Sequence, residues 1–210
     1  MKLSNNRQKE IWRDARDKME KIIALLLYGY FSYTQLTFFL AHARISSFLI
    51  TIFGLTFIIM ILCRPPAKGF SISTYDWMIS FSGMLVPLLL RPAPMAHDTI
   101  PFFITQVLGQ CISATGLISL NRSFGIVAAN HGIKTGGMYS FIRHPIYLGY
   151  FISIGSYVAQ NATASNMGIF IIWTFFQVLR IVAEEDFLSL DPTYVEYKRK
   201  VRWRLIPPIW

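Results

Sequence analysis

The chain has 210 residues, 53% hydrophobic and 15% aromatic, with a formal net charge of +9. Its apolar residues gather into long runs almost free of charge, which excludes an ordinary soluble domain and makes the bilayer the solvent. Lys and Arg stand at the ends of those runs, not in one stripe, which excludes nucleic acid as the partner for the basic surplus.

Residues 1–21 read as a charged helical leader, because Arg13 and Asp17, and Arg16 and Glu20, stand at i,i+4. Trp12 suits the membrane interface. The first apolar run, 22–43, is too long for a signal-peptide core and is expected to be a retained span. Further spans are expected over 46–63, 76–90 and 101–120, since about 20 apolar residues cross the hydrocarbon core. The run 76–90 is the weakest of these, being short and holding Pro87. Residues 22–120 therefore form a half of about four spans, turned by Pro-rich breaks at 63–70 and 91–98. Cys63 and Cys111 make no metal-ligand spacing with histidine and no disulfide framework, so both are expected as packed membrane thiols, with no metal site. His42 and His97 stand alone near span ends, as interfacial residues.

With the N-terminus in the cytoplasm and four spans before residue 121, 17 of the 20 Lys/Arg fall inside, with Arg44 and Arg91 outside and Arg180 within a helix. This is the positive-inside pattern, reinforced by attraction to anionic headgroups. It puts both termini and the region after residue 120 on the cytoplasmic side.

Residues 121–145 are polar, glycine-bearing and basic, a long connection for a compact membrane protein and so a candidate functional loop. Two more spans follow, at roughly 146–160 and 167–183. Asn161-Ala-Thr between them is a formal N-glycosylation sequence. Asp191 and Pro192 then start a short amphipathic helix with Tyr194, Tyr197 and Val201 along one side. The expected architecture is all-α: a polytopic integral membrane protein of five to six spans, with a catalytic region over 121–210.

Two clusters carry chemistry. In Arg143-His144-Pro145-Ile146-Tyr147, the proline suits the first position of a helix. His144 then falls near the cap, with Tyr147 three residues on, and both can face one spot. Arg143 beside this helix start would welcome an anionic group. In the second cluster, Arg180, Glu184 and Glu185 come from one helix. Ionisable groups near a span pair with one another or mark a site, and two acids exceed what Arg180 alone can neutralise. A cationic ligand, or Arg143 from the first cluster, completes the balance. Together the clusters offer both polarities at one edge, which suits S-adenosylmethionine, whose sulfonium is cationic and whose amino-acid end carries both charges.

The blocks Gly137-x-Tyr139-x-x-x-Arg143-His144-Pro145-x-Tyr147 and Arg180-x-x-x-Glu184-Glu185, with Tyr194-x-x-Tyr197 and Arg204-x-Ile206-Pro207, resemble the catalytic half of isoprenylcysteine carboxyl methyltransferases and their prokaryotic relatives. The resemblance runs over residues 121–207. It implies an S-adenosylmethionine site formed by His131, Gly132, Ile133, Lys134, Tyr139, His144, Pro145, Ile146, Tyr147 and Glu184, and Glu185 is expected to bind the cofactor with them. It implies Arg180 as the residue toward the acceptor, and Arg180 and Glu184 as the catalytic pair. The loop 125–130 departs from the family pattern, and no role is carried onto it.

A carboxylate acceptor is ionised at neutral pH and needs no general base, so catalysis would rest on orientation and desolvation, with the reacting atoms about 3–3.5 Å apart. A lipophilic acceptor would enter between spans. Phospholipid N-methylation, small-thiol S-methylation and an NADPH-dependent sterol-type reduction remain as alternatives, and a non-catalytic membrane scaffold is a further class.

Overall fold

The computed structural model describes residues 2–63, 73–120 and 133–210, with side chains from Asp17 onward and at Ala15. Helices α1 (Lys2–His42) and α2 (Ile45–Cys63) form an antiparallel pair, followed by α3 (Thr74–Leu85), which runs into a 3₁₀ turn (Val86–Leu89). Then come α4 (Ile100–Leu120), a second 3₁₀ turn (Gly137–Ser140), α5 (Pro145–Gln160), α6 (Ala164–Leu188) and α7 (Pro192–Lys200). No strand occurs among the described residues.

Each boundary has a local cause. Nothing between the leader and the first apolar run breaks a helix, so the two join in α1, where Asp17 pairs with Lys21 at 2.8 Å. The pairs expected from Arg13 and Arg16, and the anchor Trp12, involve side chains outside the described residues. Ser73 caps α3 by accepting from the Asp76 N–H. Pro87 brings no N–H to continue the α3 ladder, and the chain tightens into the 3₁₀ turn there. Thr163 caps α6 through the Asn166 N–H; Asp191 caps α7 ahead of Pro192, the one cap the sequence led one to expect.

Among the described residues four helices, the Asp17–His42 part of α1 with α2, α4 and α6, are long and apolar enough to cross a membrane. At 1.5 Å per residue, the 12-residue α3 and the 16-residue α5 reach about 18 and 24 Å, short of a ~30 Å hydrocarbon core. The α5 helix still runs from the Pro145 end of the bundle to the Gln160 carbonyl at the Arg44 end and lies at the centre, burying Tyr147, Ser153, Ile154, Tyr157 and Val158 among its neighbours.

Small residues let α4 and α5 meet backbone to backbone. A Cβ on Gly109 would lie 2.5 Å from the Ser153 nitrogen and 2.8 Å from the Gly149 oxygen, and one on Gly149 would collide with Ser113. Where lipid removes the hydrophobic drive, such close approach is what holds helices together. The end of this seam places Pro145 and Ile146 against Gly116.

The opposite end of the bundle is closed by polar groups. Arg44 contacts Asp98 (Nε to Oδ1, 3.0 Å) and donates to the Ala93, Ala96 and Gln160 carbonyls. The Ser46 N–H at the start of α2 donates to Asp98 Oδ2 at 3.1 Å. Burial pushes the Asp98 carboxyl up, but the hydrogen bonds from Ser46 and Arg44 outweigh it and leave the group below its ordinary range. Asn161 is fully buried: its Nδ2 donates to the Tyr157 carbonyl and its Oδ1 accepts from the Ala93 N–H. With Thr163 occupied as a cap, the glycosylation-type triplet serves the turn, and its asparagine is inaccessible. Cys63 and Cys111 are free thiols exposed at the bundle surface, which corrects the expectation that they pack inside.

Candidate active site

The site is built where the first turn of α5 meets the last turns of α6 and the tail after α7. Pro145 begins α5, and its fixed φ leaves His144 at the cap position. The backbone on either side of that cap is tied down by the tail. The Arg143 N–H donates to the Trp203 carbonyl and the His144 N–H to the Arg204 carbonyl, both at 2.9 Å.

Glu185 is the hub beneath this junction. It is 1% exposed, and both of its oxygens are engaged. Arg143 donates through Nε to Oε1 at 2.6 Å and through NH2 to Oε2 at 3.2 Å. His144 Nε2 lies 3.1 Å from Oε1, and Arg204 Nε donates to Oε2 at 2.9 Å. Lys198 Nζ stands 3.8 Å away. The remaining Arg143 donors go to the Val201 and Arg202 carbonyls at 2.9 and 2.8 Å. Arg143 is therefore no open seat for an anion. It is buried, and it completes the charge balance of the acidic pair, one of the two partners expected for that pair.

Glu184, adjacent in sequence, turns the other way. Half-buried, it accepts the Tyr147 O–H at 2.7 Å through Oε2. The Arg180 guanidinium lies 5.5 Å from the centroid of that same tyrosine ring. The expected pairing of His144 with Tyr147 also holds, their rings meeting edge to face at 5.5 Å.

Tyr139 packs under α7 with Tyr194, Tyr197 and Val201, and its carbonyl accepts the Tyr197 O–H at 2.7 Å. Gly137 makes this turn possible: its φ is +61°, and a Cβ there would run into Ser119. Burial, and next the nearby Glu184 carboxylate, raises the Tyr139 phenol above its ordinary range. Burial likewise raises Tyr194, with Glu185 and Glu184 adding to it, and its Oη has no hydrogen-bond partner among the described residues.

Six of the candidate residues thus converge: Arg143, His144, Tyr147, Arg180, Glu184 and Glu185. Pro145 and Ile146 lie in the α4–α5 seam, Ile133 packs beside the Tyr139 cluster, and Lys134 is exposed. His131 and Gly132 lie outside the described residues. Arg204 was missed as a site residue, although the Arg-x-Ile-Pro ending that contains it was visible. Leu205 beside it is buried against Tyr147 and Ile181.

An apolar groove of about 220 Å³ opens between α2 and α4, lined by Leu49, Ile52, Met60, Val107 and Leu117. Its inner wall includes Phe53, Phe57 and Tyr150, which also line a small cavity reaching Arg180. The arrangement can hold a cation or hydroxyls on Glu184 and an anion on Arg180, beside a path for an apolar chain.

Residues 102–190 match the model of the isoprenylcysteine carboxyl methyltransferase family. A protein-S-isoprenylcysteine O-methyltransferase of Arabidopsis thaliana is 31% identical over 135 residues, 59% of this chain and 68% of that protein. The Schizosaccharomyces pombe enzyme of the same name is 30% identical over 45% of this chain and 43% of its own length. For the Homo sapiens enzyme the figures are 32%, 45% and 36%. The alignments thus cover less than half of the yeast and human proteins. The family model's span takes in both charged clusters, the match with the Arabidopsis protein covers two thirds of that relative, and on it this chain belongs to the isoprenylcysteine carboxyl methyltransferase family.

Proposed function

We propose that the chain is a membrane methyltransferase that uses S-adenosylmethionine to O-methylate the carboxylate of a C-terminal isoprenylcysteine or an analogous lipophilic acceptor. The observation that carries this reading is the Tyr147–Glu184 contact with Arg180 across the same ring, Arg180 lining a small cavity whose Phe53, Phe57 and Tyr150 also line the apolar groove. The relatives' names point to the same chemistry.

The residues fit the methyl donor. Glu184 offers a carboxylate for a cation or hydroxyls, Tyr147 offers a ring face to positive charge, and the unpartnered Tyr194 Oη is one more polar contact near the acids. When bound, S-adenosylmethionine supplies an electrophilic methyl group on sulfur. Tyr147 holds the Glu184 carboxylate in one orientation. Arg180 draws in and aligns the acceptor carboxylate, which is already ionised, so no side chain has to remove a proton. The low exposure of Arg180, 7%, excludes water and strengthens that contact. Glu185, with both oxygens spent on Arg143, His144 and Arg204, acts by positioning the first turn of α5.

The acceptor's apolar chain lies in the α2–α4 groove on this reading. The leader, the tail and the site face the cytoplasm, a sidedness that rests on the positive-inside charge distribution. The test is transfer of labelled methyl from S-adenosylmethionine to a prenylated cysteine acceptor by purified protein. Arg180→Ala and Glu184→Ala should each cripple turnover. Wild-type rates in both variants would overturn the site assignment.

A further inference from the structure

Residues 198–210 present two unlike faces. Inward, their backbone holds the cap of α5. The Val201 and Arg202 carbonyls accept from the Arg143 guanidinium, and the Trp203 and Arg204 carbonyls accept the Arg143 and His144 N–H groups. Arg204 reaches Glu185, and Lys198 Nζ donates to Ser189 Oγ at 3.2 Å, just past the end of α6. The segment then closes on itself, with the Trp210 carbonyl accepting the N–H groups of Arg204, Leu205 and Ile206. The Arg204 guanidinium lies 5.1 Å from the centroid of the Trp210 ring.

Outward, the same stretch is cationic. Arg199, Lys200 and Arg202 are exposed, and no ion pair joins any of them to an acid among the described residues. From Pro192 to Trp210 the only acidic side chain is Glu196. Bulky apolar residues stand exposed on both sides of the charges in sequence, Leu190 before them and Ile206 and Ile209 after. A soluble anionic partner would call for the charges alone. Basic groups flanked by exposed apolar side chains are the composition of a segment lying in a headgroup layer.

Depth agrees with this. At 25 residues α6 is about 37 Å long, more than the ~30 Å hydrocarbon core, and its charged end is the one that emerges. Leu205 packs against Ile181 and Tyr147, which sets the tail beside those last turns of α6.

We propose that the outer face of residues 198–210 docks on anionic lipid headgroups of the surrounding bilayer, and that this docking orders the tail which positions Glu185 and the first turn of α5. Donor binding then depends on lipid charge. This rests on the functional reading above for its readout and adds a partner that reading does not contain. The link is mass action: lipid that binds the docked tail favours the arrangement in which Arg143, His144 and Glu185 are fastened together.

The test places the chain in nanodiscs of phosphatidylcholine alone and of phosphatidylcholine mixed with phosphatidylglycerol. Calorimetry reads S-adenosylhomocysteine affinity, and mass spectrometry reads amide hydrogen exchange over 198–210. Phosphatidylglycerol should tighten binding on the order of tenfold, within the ceiling of roughly 150-fold that three cations near an anionic surface set. Exchange over 198–210 should slow with it. Salt at about 1 M, where the Debye length is ~3 Å, should remove both effects. The double variant Arg199→Gln/Lys200→Gln, altered only at exposed side chains, should match wild type in phosphatidylcholine and lose most of the gain. Soluble glycerol phosphate added to phosphatidylcholine discs should change nothing.

Equal wild-type affinity in the two bilayers, a full gain in the double variant, or a gain produced by soluble glycerol phosphate overturns the proposal. Wild-type protein that binds no S-adenosylhomocysteine in either bilayer overturns the functional reading instead. Hydrogen exchange then tests the docking by itself, and exchange that ignores phosphatidylglycerol refutes it.

Discussion

Arg204 and Glu185 meet at 2.9 Å across 19 residues of chain, and their contact fastens the tail to the helix that carries the acidic pair. The same carboxylate holds Arg143 and His144, so three segments converge on one side chain. Glu185→Ala would leave the Arg143 guanidinium buried without its counter-charge. We expect a loss of about 3–5 kcal/mol, read as a fall in the unfolding temperature in detergent. Arg204→Ala should cost less, because its side chain is 29% exposed and Arg143 still compensates Glu185.

Tyr147→Phe removes the hydrogen bond that fixes Glu184 and leaves the packing of the ring in place. Hydrogen bonds to charged groups are worth about 1.5–3 kcal/mol. We therefore expect the unfolding temperature without ligand to fall measurably, and S-adenosylhomocysteine affinity to fall about tenfold as Glu184 loses its fixed orientation. A titration by calorimetry checks both.

The α4–α5 seam should tolerate no added volume. Gly109→Ala places a methyl group 2.5 Å from the Ser153 backbone nitrogen, and backbone cannot yield as a flexible side chain does. Overpacking of this kind costs roughly 1–3 kcal/mol, and thermal unfolding of the variant measures it. Gly168→Ala, where an added Cβ meets nothing within 4 Å, is the control expected to be neutral.

The outer clamp gives a pH dependence with a defined sign. The Asp98 carboxyl is lowered in the folded protein, so its contribution is full above the ordinary carboxylate pKa of ~3.9 and fades as pH falls through the lower folded value. Wild type should exceed Asp98→Asn in unfolding temperature at pH 6–7, and the gap should close below about pH 4. A gap that persists to pH 2 would contradict the Arg44–Asp98 account.

Much of the helical framework could be read from hydropathy. The spans expected at 46–63, 101–120 and 146–160 begin within one residue of α2, α4 and α5, because apolar runs and prolines mark their ends. The other edges shifted for reasons of context: α1 absorbs the leader, and α6 runs through the charged block to Leu188, with no breaker to stop it. Pairing was less legible. Two adjacent glutamates look alike in sequence, yet one is buried under two arginines and a histidine and its neighbour faces Tyr147. Which does which is decided by the tail at 201–205 folding back on Arg143, a long-range contact with no periodic signal.

The central claim is that α6 divides its labour, with Glu184 toward the methyl donor and Arg180 toward the acceptor. Calorimetric titration of S-adenosylhomocysteine into wild type, Arg180→Ala and Glu184→Ala tests it most directly. The account predicts binding to the wild type, near-normal binding to Arg180→Ala and at least a tenfold loss in Glu184→Ala. Wild-type protein that binds NADPH but not S-adenosylhomocysteine, or equal affinity in all three proteins, would contradict it.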